Sequence, residues 1–485
     1  MPSIFDRLFK GKPPAAPPTA PSQPAQSQAL PDSFETIYAK ALAAAAAKDF
    51  ARAIRLYDQA ITLSPASAEP YYKRANALKD IGQLEAAVAS YDQAIARKPD
   101  YAYAYCNRGV VQRGLGLFPQ AQSSLDRAIA LEPTDAVAHY NRAMVLQDCS
   151  RWEEAVTSYD QAIAINPQFA DAQYNRSLTL LFLGDFERGW PGFEWRWKNP
   201  QRLAIGELRG FREPLWLGDA PIAGKRLLLH NEQGLGDTLQ FCRYAKLAAA
   251  RGAIVLLEAQ PSLVNLLANV EGVSQVIAAG DALPPIDYHC PLMSLPLAFN
   301  TTLDSVPASQ RYLRSDTAML ARWRARLGER TRPRIGLTWS GNANQPIEPR
   351  RRVPLADWLP HLPAEFDYFC LQKDLRAEDR VARDSSPLIT SFDVRELDFQ
   401  NTAALCECMD LVVSVDTSLP HLSAALGQRT WVLLSAVPDW RWLRDREDTP
   451  WYPTMKLYRQ KAAGEWSDVF ARVAADLRRE FPTGG

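Results

Sequence analysis

Pro65, Pro99, Pro133 and Pro167 stand 34 residues apart. Each closes a similar phrase: ARAIRLYDQAITLSP, EAAVASYDQAIARKP, QAQSSLDRAIALEP and EEAVTSYDQAIAINP. Inside these phrases small residues recur two helical turns apart, at Ala53/Ala60, Ala87/Ala94, Ala121/Ala128 and Ala155/Ala162. Bulky Tyr57, Tyr91, Leu125 and Tyr159 stand between them. Small side chains let a second helix approach closely, and the bulky residue fills the gap. A single such unit cannot bury its apolar face alone and must stack on its neighbours. The spacing therefore confines this part of the chain to a solenoid of helix pairs.

A 34-residue helix pair is the tetratricopeptide period, and residues 34–190 read as about four and a half such repeats. A fifth unit opens at Ala170 and breaks into ERGWPGFEWRW, where Pro191 and aromatic residues replace the small ones. We read 191–224 as a capping and docking linker. Residues 1–31, rich in Pro, Ala and Gln, read as a disordered tail. Ile4, Phe5, Leu8 and Phe9 share one face of a possible short helix there, too short for stable membrane insertion. No apolar run approaches the length needed to span a bilayer, and Met1–Lys12 lacks a secretory core. Lys+Arg and Asp+Glu balance at 55 each, so charge gives no reason to expect nucleic acid. Seven scattered cysteines complete no zinc pattern, and the expectation is a reduced, cytoplasmic protein without a metal.

Beyond about Lys225 the pattern changes to short apolar runs alternating with helical stretches. RLLLH, AIVLLEA, SQVIAAG and DYHC read as strands of a first lobe over 225–313. RIGLTWSG, FDYFCLQ, LVVSVD and RTWVLLS read as strands of a second over 333–480, with 314–332 as the link. Such alternation predicts parallel, doubly wound sheets. The expected fold class is α plus α/β: a helical solenoid followed by two Rossmann-like lobes facing a cleft.

Three constellations could carry chemistry. In HNEQGLGDTLQF, Gly234 and Gly236 follow a strand and open a helix near Asp237, aiming free N–H groups at an anion. Asp237 can cap that helix or take a proton from an attacking hydroxyl. In LVVSVDTSLPHLSAALG the strand ends at Asp416, and Thr417 and Ser418 begin a helix carrying His421. Hydroxyls, free N–H groups and the helix dipole suit a pyrophosphate, or simply a well-capped helix with a packed histidine. Lys373 and the run Arg350–Arg352 follow strands, where open α/β sheets bind ligands. In the absence of a DxD pair, such cations can neutralise a leaving diphosphate. The loop PDWRWLRDREDTPWY walls a donor pocket, grips an acceptor, or packs the lobes together. Asp439 and Trp440 of this loop, together with Arg351, are candidate donor or acceptor contacts.

GLGD after the first strand and D-T-S-x-x-H-L-x-x-A-L-G in the second lobe resemble lipopolysaccharide heptosyltransferases, which are metal-independent inverting GT-B enzymes. With its repeats, GLTWSGN, LQKD and PDWRWLRDREDTPWYPT, the chain resembles bacterial tetratricopeptide-repeat glycosyltransferases over about 34–480, a group that includes flagellin-modifying enzymes. The resemblance implies Asp237 as base, Asp416, Thr417, Ser418 and His421 as the donor-phosphate loop, and Lys373 as a cation beside the diphosphate. It departs at ANQPIEPRRRVPL, which lacks the His and Asn/Asp stretch of the relatives.

Asn107, Asn141 and Asn175 occupy one place in successive repeats, each followed by an arginine, while the first repeat has Lys73 there. They resemble the asparagine ladder of eukaryotic O-linked N-acetylglucosamine transferase. A carboxamide both donates to and accepts from an extended peptide, so the ladder can grip a polypeptide on the concave face; the alternative is hydrogen bonding within the solenoid. The function expected is transfer of a sugar from a nucleotide-sugar co-substrate to a Ser or Thr hydroxyl of a polypeptide, flagellin-like proteins included. A glycan or lipid-linked acceptor, or a non-catalytic scaffold, are the other readings.

Overall fold

The computed structural model describes residues 33–198, 209–342 and 351–482. The tail 1–31, its Met1–Lys12 segment and Arg350 lie outside the described residues. The chain forms two compact units, one reaching to Arg176 and one from Ser177 onward.

The first unit is an N-terminal tetratricopeptide solenoid. Its helices are α1 (Phe34–Ala46), α2 (Phe50–Leu63), α3 (Ala68–Asp80), α4 (Leu84–Arg97), α5 (Ala102–Gly114), α6 (Phe118–Leu131), α7 (Ala136–Asp148) and α8 (Trp152–Ile165), with α9 (Ala170–Phe182) crossing into the second unit. The small and bulky positions of the repeat are its buried core: Ala53, Tyr57 and Ala60, then Ala87, Tyr91 and Ala94, and so on through Ala162. The turn inside each pair has its own 34-residue signature. Lys48, Gly82, Gly116, Ser150 and Gly184 all adopt positive φ, between 58° and 84°. Glycine takes that conformation without a Cβ clash, and Lys48 and Ser150 hold it under strain.

A second ladder ties consecutive helices together. Arg74, Arg108, Arg142 and Arg176 pair with Asp58, Asp92, Asp126 and Asp160 at 2.5–2.6 Å. The first three also donate to Ser90, Ser124 and Ser158 at 2.6–3.1 Å. These are the arginines that follow the asparagines and Lys73, and their work is to hold the solenoid. With the aspartates about half exposed, each pair stabilises only modestly.

The second unit holds two parallel sheets. The first has β1 (Arg226–His230), β2 (Ile254–Ala259), β3 (Val273–Ala278) and β4 (Tyr288–Pro291), in the order β3-β2-β1-β4. The second has β5 (Arg334–Thr338), β6 (Asp367–Cys370), β7 (Ile389–Thr390), β8 (Leu411–Val415), β9 (Thr430–Leu434) and β10 (Met455–Arg459), in the order β10-β9-β8-β5-β6-β7. Strand order reverses between β5 and β8, the place where doubly wound sheets leave a ligand crevice. Strands β5, β8 and β9 are buried along their whole length, as sheets covered on both faces require. The segment read as a link contains the helix Thr317–Leu327, whose Trp323 indole donates to Asn401 of the second lobe at 3.1 Å.

Phe186–Phe193 forms a further helix with Pro191 inside, followed by a 3₁₀ turn over Glu194–Lys198. Its Trp190 donates to the Thr301 carbonyl at 2.9 Å and meets Trp440 edge-on at 5.4 Å. Arg196 of the 3₁₀ turn is fully buried between Glu194 and Glu232. No helix of the described residues is long and apolar enough to cross a membrane.

Candidate active site

At the C-terminal end of β1 the chain turns sharply at Gln233, whose φ of +55° is unusual for a residue with a side chain. Gly234 itself is extended, at φ −93°, and stands at the N-cap of the helix Leu235–Phe241. Gly236 serves a close approach instead of a turn. A Cβ there would lie 3.0 Å from His421 Cδ2 and 3.5 Å from Ser418 Cα. The absent side chain thus lets the first lobe's helix N-terminus meet that of the helix Ser418–Ala425 in the second.

Asp237 caps its own helix, its Oδ2 accepting from the Gly234 N–H at 2.7 Å. Its Oδ1 takes a bond from the Arg441 guanidinium of the second lobe. The side chain keeps 17% exposure, so a substrate hydroxyl can reach it. Burial raises its pKa above the ordinary carboxylate range, against the opposing pull of Arg441. A carboxylate held in that way is a stronger base.

On the second lobe, Asp416 follows β8 directly and Thr417 caps the next helix, its hydroxyl accepting from the Leu419 N–H at 3.3 Å. Arg351 donates to the Asp416 carbonyl at 2.9 Å. Burial, reinforced by the Asp439 carboxylate, pushes the Asp416 carboxyl from 3.8 up to about 6. Asp439 is pushed the same way by burial, but Arg441, at 2.8 Å, offsets this and holds it below the usual range. His421 is buried beneath this cluster, its Nδ1 2.9 Å from the Tyr452 hydroxyl and its ring stacked on Trp442. Burial, with Arg441 and Arg243 nearby, brings its pKa down to about 3, so it is a neutral imidazole.

The sign of the Asp416 shift is testable. A folded pKa above the ordinary value means the fold prefers the neutral acid. That contribution is complete below about pH 3.8 and is lost as pH rises through about 6. Asp416→Asn, a neutral isostere, is therefore expected to stabilise the ligand-free protein at pH 8 by on the order of 2 kcal/mol. The gain should vanish near pH 4. Melting temperatures of both proteins across that range check it, and equal values at pH 8 would contradict the burial account.

The structure brings Asp237, Asp416, Asp439, His421 and Arg351 together. Lys373 stands apart: it is exposed on the loop after β6 and has no hydrogen bond or ion pair among the described residues. Its neighbour Gln372 ties that loop to the end of β5, accepting from the Trp339 and Ser340 N–H groups at 3.2 and 3.1 Å. Trp440 is buried among Trp190, Phe193 and Trp451. Arg441, Gln240 and Tyr452 were not singled out by sequence reasoning. The signal available was the dense mixture of tryptophans and charges around position 441. Among the described residues, no group of three or more His, Cys, Asp or Glu side chains is placed to hold a metal.

In the solenoid, the asparagine amides donate to the preceding repeat. Asn107 reaches the Tyr72 hydroxyl at 3.0 Å and Asn76 Oδ1 at 3.1 Å, and Asn175 reaches the Tyr140 hydroxyl at 2.8 Å. Asn141 finds Cys106 Sγ at 3.7 Å, because cysteine occupies the tyrosine position of that repeat.

Residues 390–438, which include β8, Asp416, Thr417, Ser418 and His421, match glycosyltransferase family 9 (heptosyltransferase). Residues 75–116 and 145–184 match the TPR repeat, and 124–157 the tetratricopeptide repeat. The chain is 26% identical over 327 residues to Protein FlbA of Caulobacter vibrioides, an alignment covering 62% of this chain and 53% of that protein. The chain thus spans about half the length of the curated relative it matches. Among solved structures, MamA is 24% identical, with 34% of this chain and 96% of that one covered and a TM-score of 0.32. YrrB, described as a TPR protein with an unusual peptide-binding site, is 21% identical, with 36% and 91% covered and a TM-score of 0.31. The chain therefore combines tetratricopeptide repeats with a segment of glycosyltransferase family 9 type.

Proposed function

We propose that this protein is a metal-independent GT-B glycosyltransferase that moves a sugar from a nucleotide-sugar donor to a Ser or Thr hydroxyl of a polypeptide held by the repeat arm. One observation carries the reading: the helix N-terminus that bears Asp237, a carboxylate whose pKa burial raises, approaches the capped helix N-terminus of the other lobe at Gly236 and Ser418. Asp237 removes the hydroxyl proton as the oxygen attacks the anomeric carbon, and the bond to the diphosphate breaks on the opposite face. The anomeric centre inverts. Negative charge growing on the departing nucleoside diphosphate is met by the Ser418–Ala425 helix N-terminus, the Thr417 and Ser418 hydroxyls and Arg351. No cofactor besides the nucleotide sugar enters this scheme, and the cytoplasm, where nucleotide sugars are available, is its proposed place.

The inward-turned amides of Asn107, Asn141 and Asn175 favour a second reading of the acceptor, in which a glycan or lipid-linked sugar takes the glycosyl group and the arm serves location. Replacing all three asparagines by alanine separates the two. Loss of protein-acceptor use with donor hydrolysis retained supports polypeptide capture.

The donor site is tested by thermal shift against a panel of nucleoside diphosphates and nucleotide sugars. A ligand at 100 times its Kd is expected to stabilise the fold by about 2.7 kcal/mol. Asp416→Ala should lose that shift. A protein that responds to none of them is a scaffold and not a transferase.

A further inference from the structure

Arg441 bonds to side chains of both lobes, yet the proposed chemistry assigns it nothing. Its three nitrogens are each committed. Nη2 donates to Asp237 Oδ1, Nε to Gln240 Oε1 at 2.8 Å, and Nη1 to Asp439 Oδ1 at 2.8 Å. Only 7% of the residue is exposed, and the guanidinium lies 4.5 Å from the Trp440 ring centroid. Asp237 and Gln240 are one helical turn apart on the first lobe's helix, whereas Arg441 and Asp439 belong to the loop after β9 of the second. Gln240 turns its side-chain carbonyl oxygen to Arg441 and leaves its Nε2 buried without a partner among the described residues.

We infer that Arg441 is a positioning residue for Asp237: it reaches across the cleft to orient the carboxylate and keep it ionised, so that the base is armed only while the two lobes are closed. This rests on the proposed role of Asp237 as the base. Two fixed points, Gly234 N–H on Oδ2 and Arg441 on Oδ1, set the plane of the carboxylate and leave each oxygen a lone pair for the acceptor hydroxyl. Glu232 and Asp439 face Asp237 with like charge and burial acts the same way; among the described residues Arg441 is the cation that opposes them. Asp416 faces Arg441 from β8 with Arg351 beside it, and His421 beneath is neutral. Without the guanidinium, burial, Asp439 and Glu232 favour a protonated Asp237, which cannot accept a proton, with the Gly234 N–H left to oppose them. If the lobes part, the same loss follows, because the partner sits on the other lobe.

The test is the pH profile of kcat for sugar transfer in the wild type, Arg441→Gln and Arg441→Lys. Arg441→Gln should move the acid limb to higher pH and lower kcat at pH 7 by roughly 10²-fold, with KM for the nucleotide sugar nearly unchanged. Arg441→Lys, which keeps the charge but not the three-way fork, should recover part of both effects and serves if the glutamine variant does not fold. A loss that is uniform across pH, or carried in KM alone, overturns the proposal. A second measurement needs no activity: melting temperatures of wild type, Asp237→Asn, Arg441→Gln and the double variant at pH 8. Non-additive effects support the pairing, and additive ones overturn it whether or not the protein transfers sugar. A wild type that transfers nothing, with the pairing intact, defeats the parent reading of Asp237 as a base and leaves the interlobe bond standing.

Discussion

Asp237→Asn is expected to lower sugar transfer by roughly 10²- to 10⁴-fold, the usual contribution of a positioned general base, while nucleoside diphosphate binding stays near that of the wild type. The substitution is almost isosteric. An asparagine carbonyl can still accept the Gly234 N–H, and Arg441 keeps its bonds to Asp439 and Gln240. What disappears is the capacity to accept the acceptor's proton. In the proposed function donor binding rests on the opposite lobe, at Thr417, Ser418 and Arg351, and is expected to be untouched. Steady-state kinetics with a peptide acceptor, together with calorimetric titration of the nucleotide, separate the two. Full turnover in Asp237→Asn would remove Asp237 from the mechanism and leave it as a helix cap.

Arg196→Met is expected to destabilise the second unit by about 3–5 kcal/mol, because it strands a buried acid without its partner. Glu232 is 3% exposed at its side chain and is held by Arg196 through both oxygens at 2.9 Å, with Met293 N–H adding a bond at 3.0 Å. Arg196 also donates to Ser294 at 2.6 Å and to Glu194. Replacing the pair together, as Arg196→Met with Glu232→Leu, should recover much of the loss, since a well-packed apolar pair rivals a buried ion pair. Urea midpoints of the three proteins give the answer. A single variant as stable as the wild type would show that Glu232 finds water or another cation. The consequence reaches the cleft, because Glu232 lies two residues before Gly234 and is one of the charges acting on Asp237.

Much of the architecture was legible because it depends on periodicities that act locally. The 34-residue recurrence of small and bulky residues demanded stacked helix pairs, and those residues are the solenoid core. Apolar runs such as RLLLH and LVVSVD became β1 and β8, since a strand covered on both faces must be apolar throughout. The two strands that reading missed, β7 and β10, are a two-residue edge and the mixed MKLYR, with no apolar run to mark them. The helix expected to open near Asp237 is short: the chain folds as Leu235–Phe241 and Ala245–Ala250 joined by a 3₁₀ turn, where Arg243 reaches away to Tyr312 and the Trp451 carbonyl.

The sequence by itself determined the repeat period, the parallel strands and the chemical candidates at the strand ends, because each follows from residues close together in the chain. Only the tertiary structure decided which candidates meet. Arg441 lies 204 positions from Asp237, and no local pattern specifies that its guanidinium crosses the cleft to that carboxylate. Gly236 read as part of a helix opening that aims N–H groups at an anion, and the structure adds that its missing side chain lets two helix ends touch, a distance set by both lobes at once. The asparagines read as a peptide ladder, and the tyrosines one repeat earlier decide where their amide hydrogens go. In each case the deciding partner is remote in sequence, so its identity is fixed by packing and charge compensation rather than by spacing.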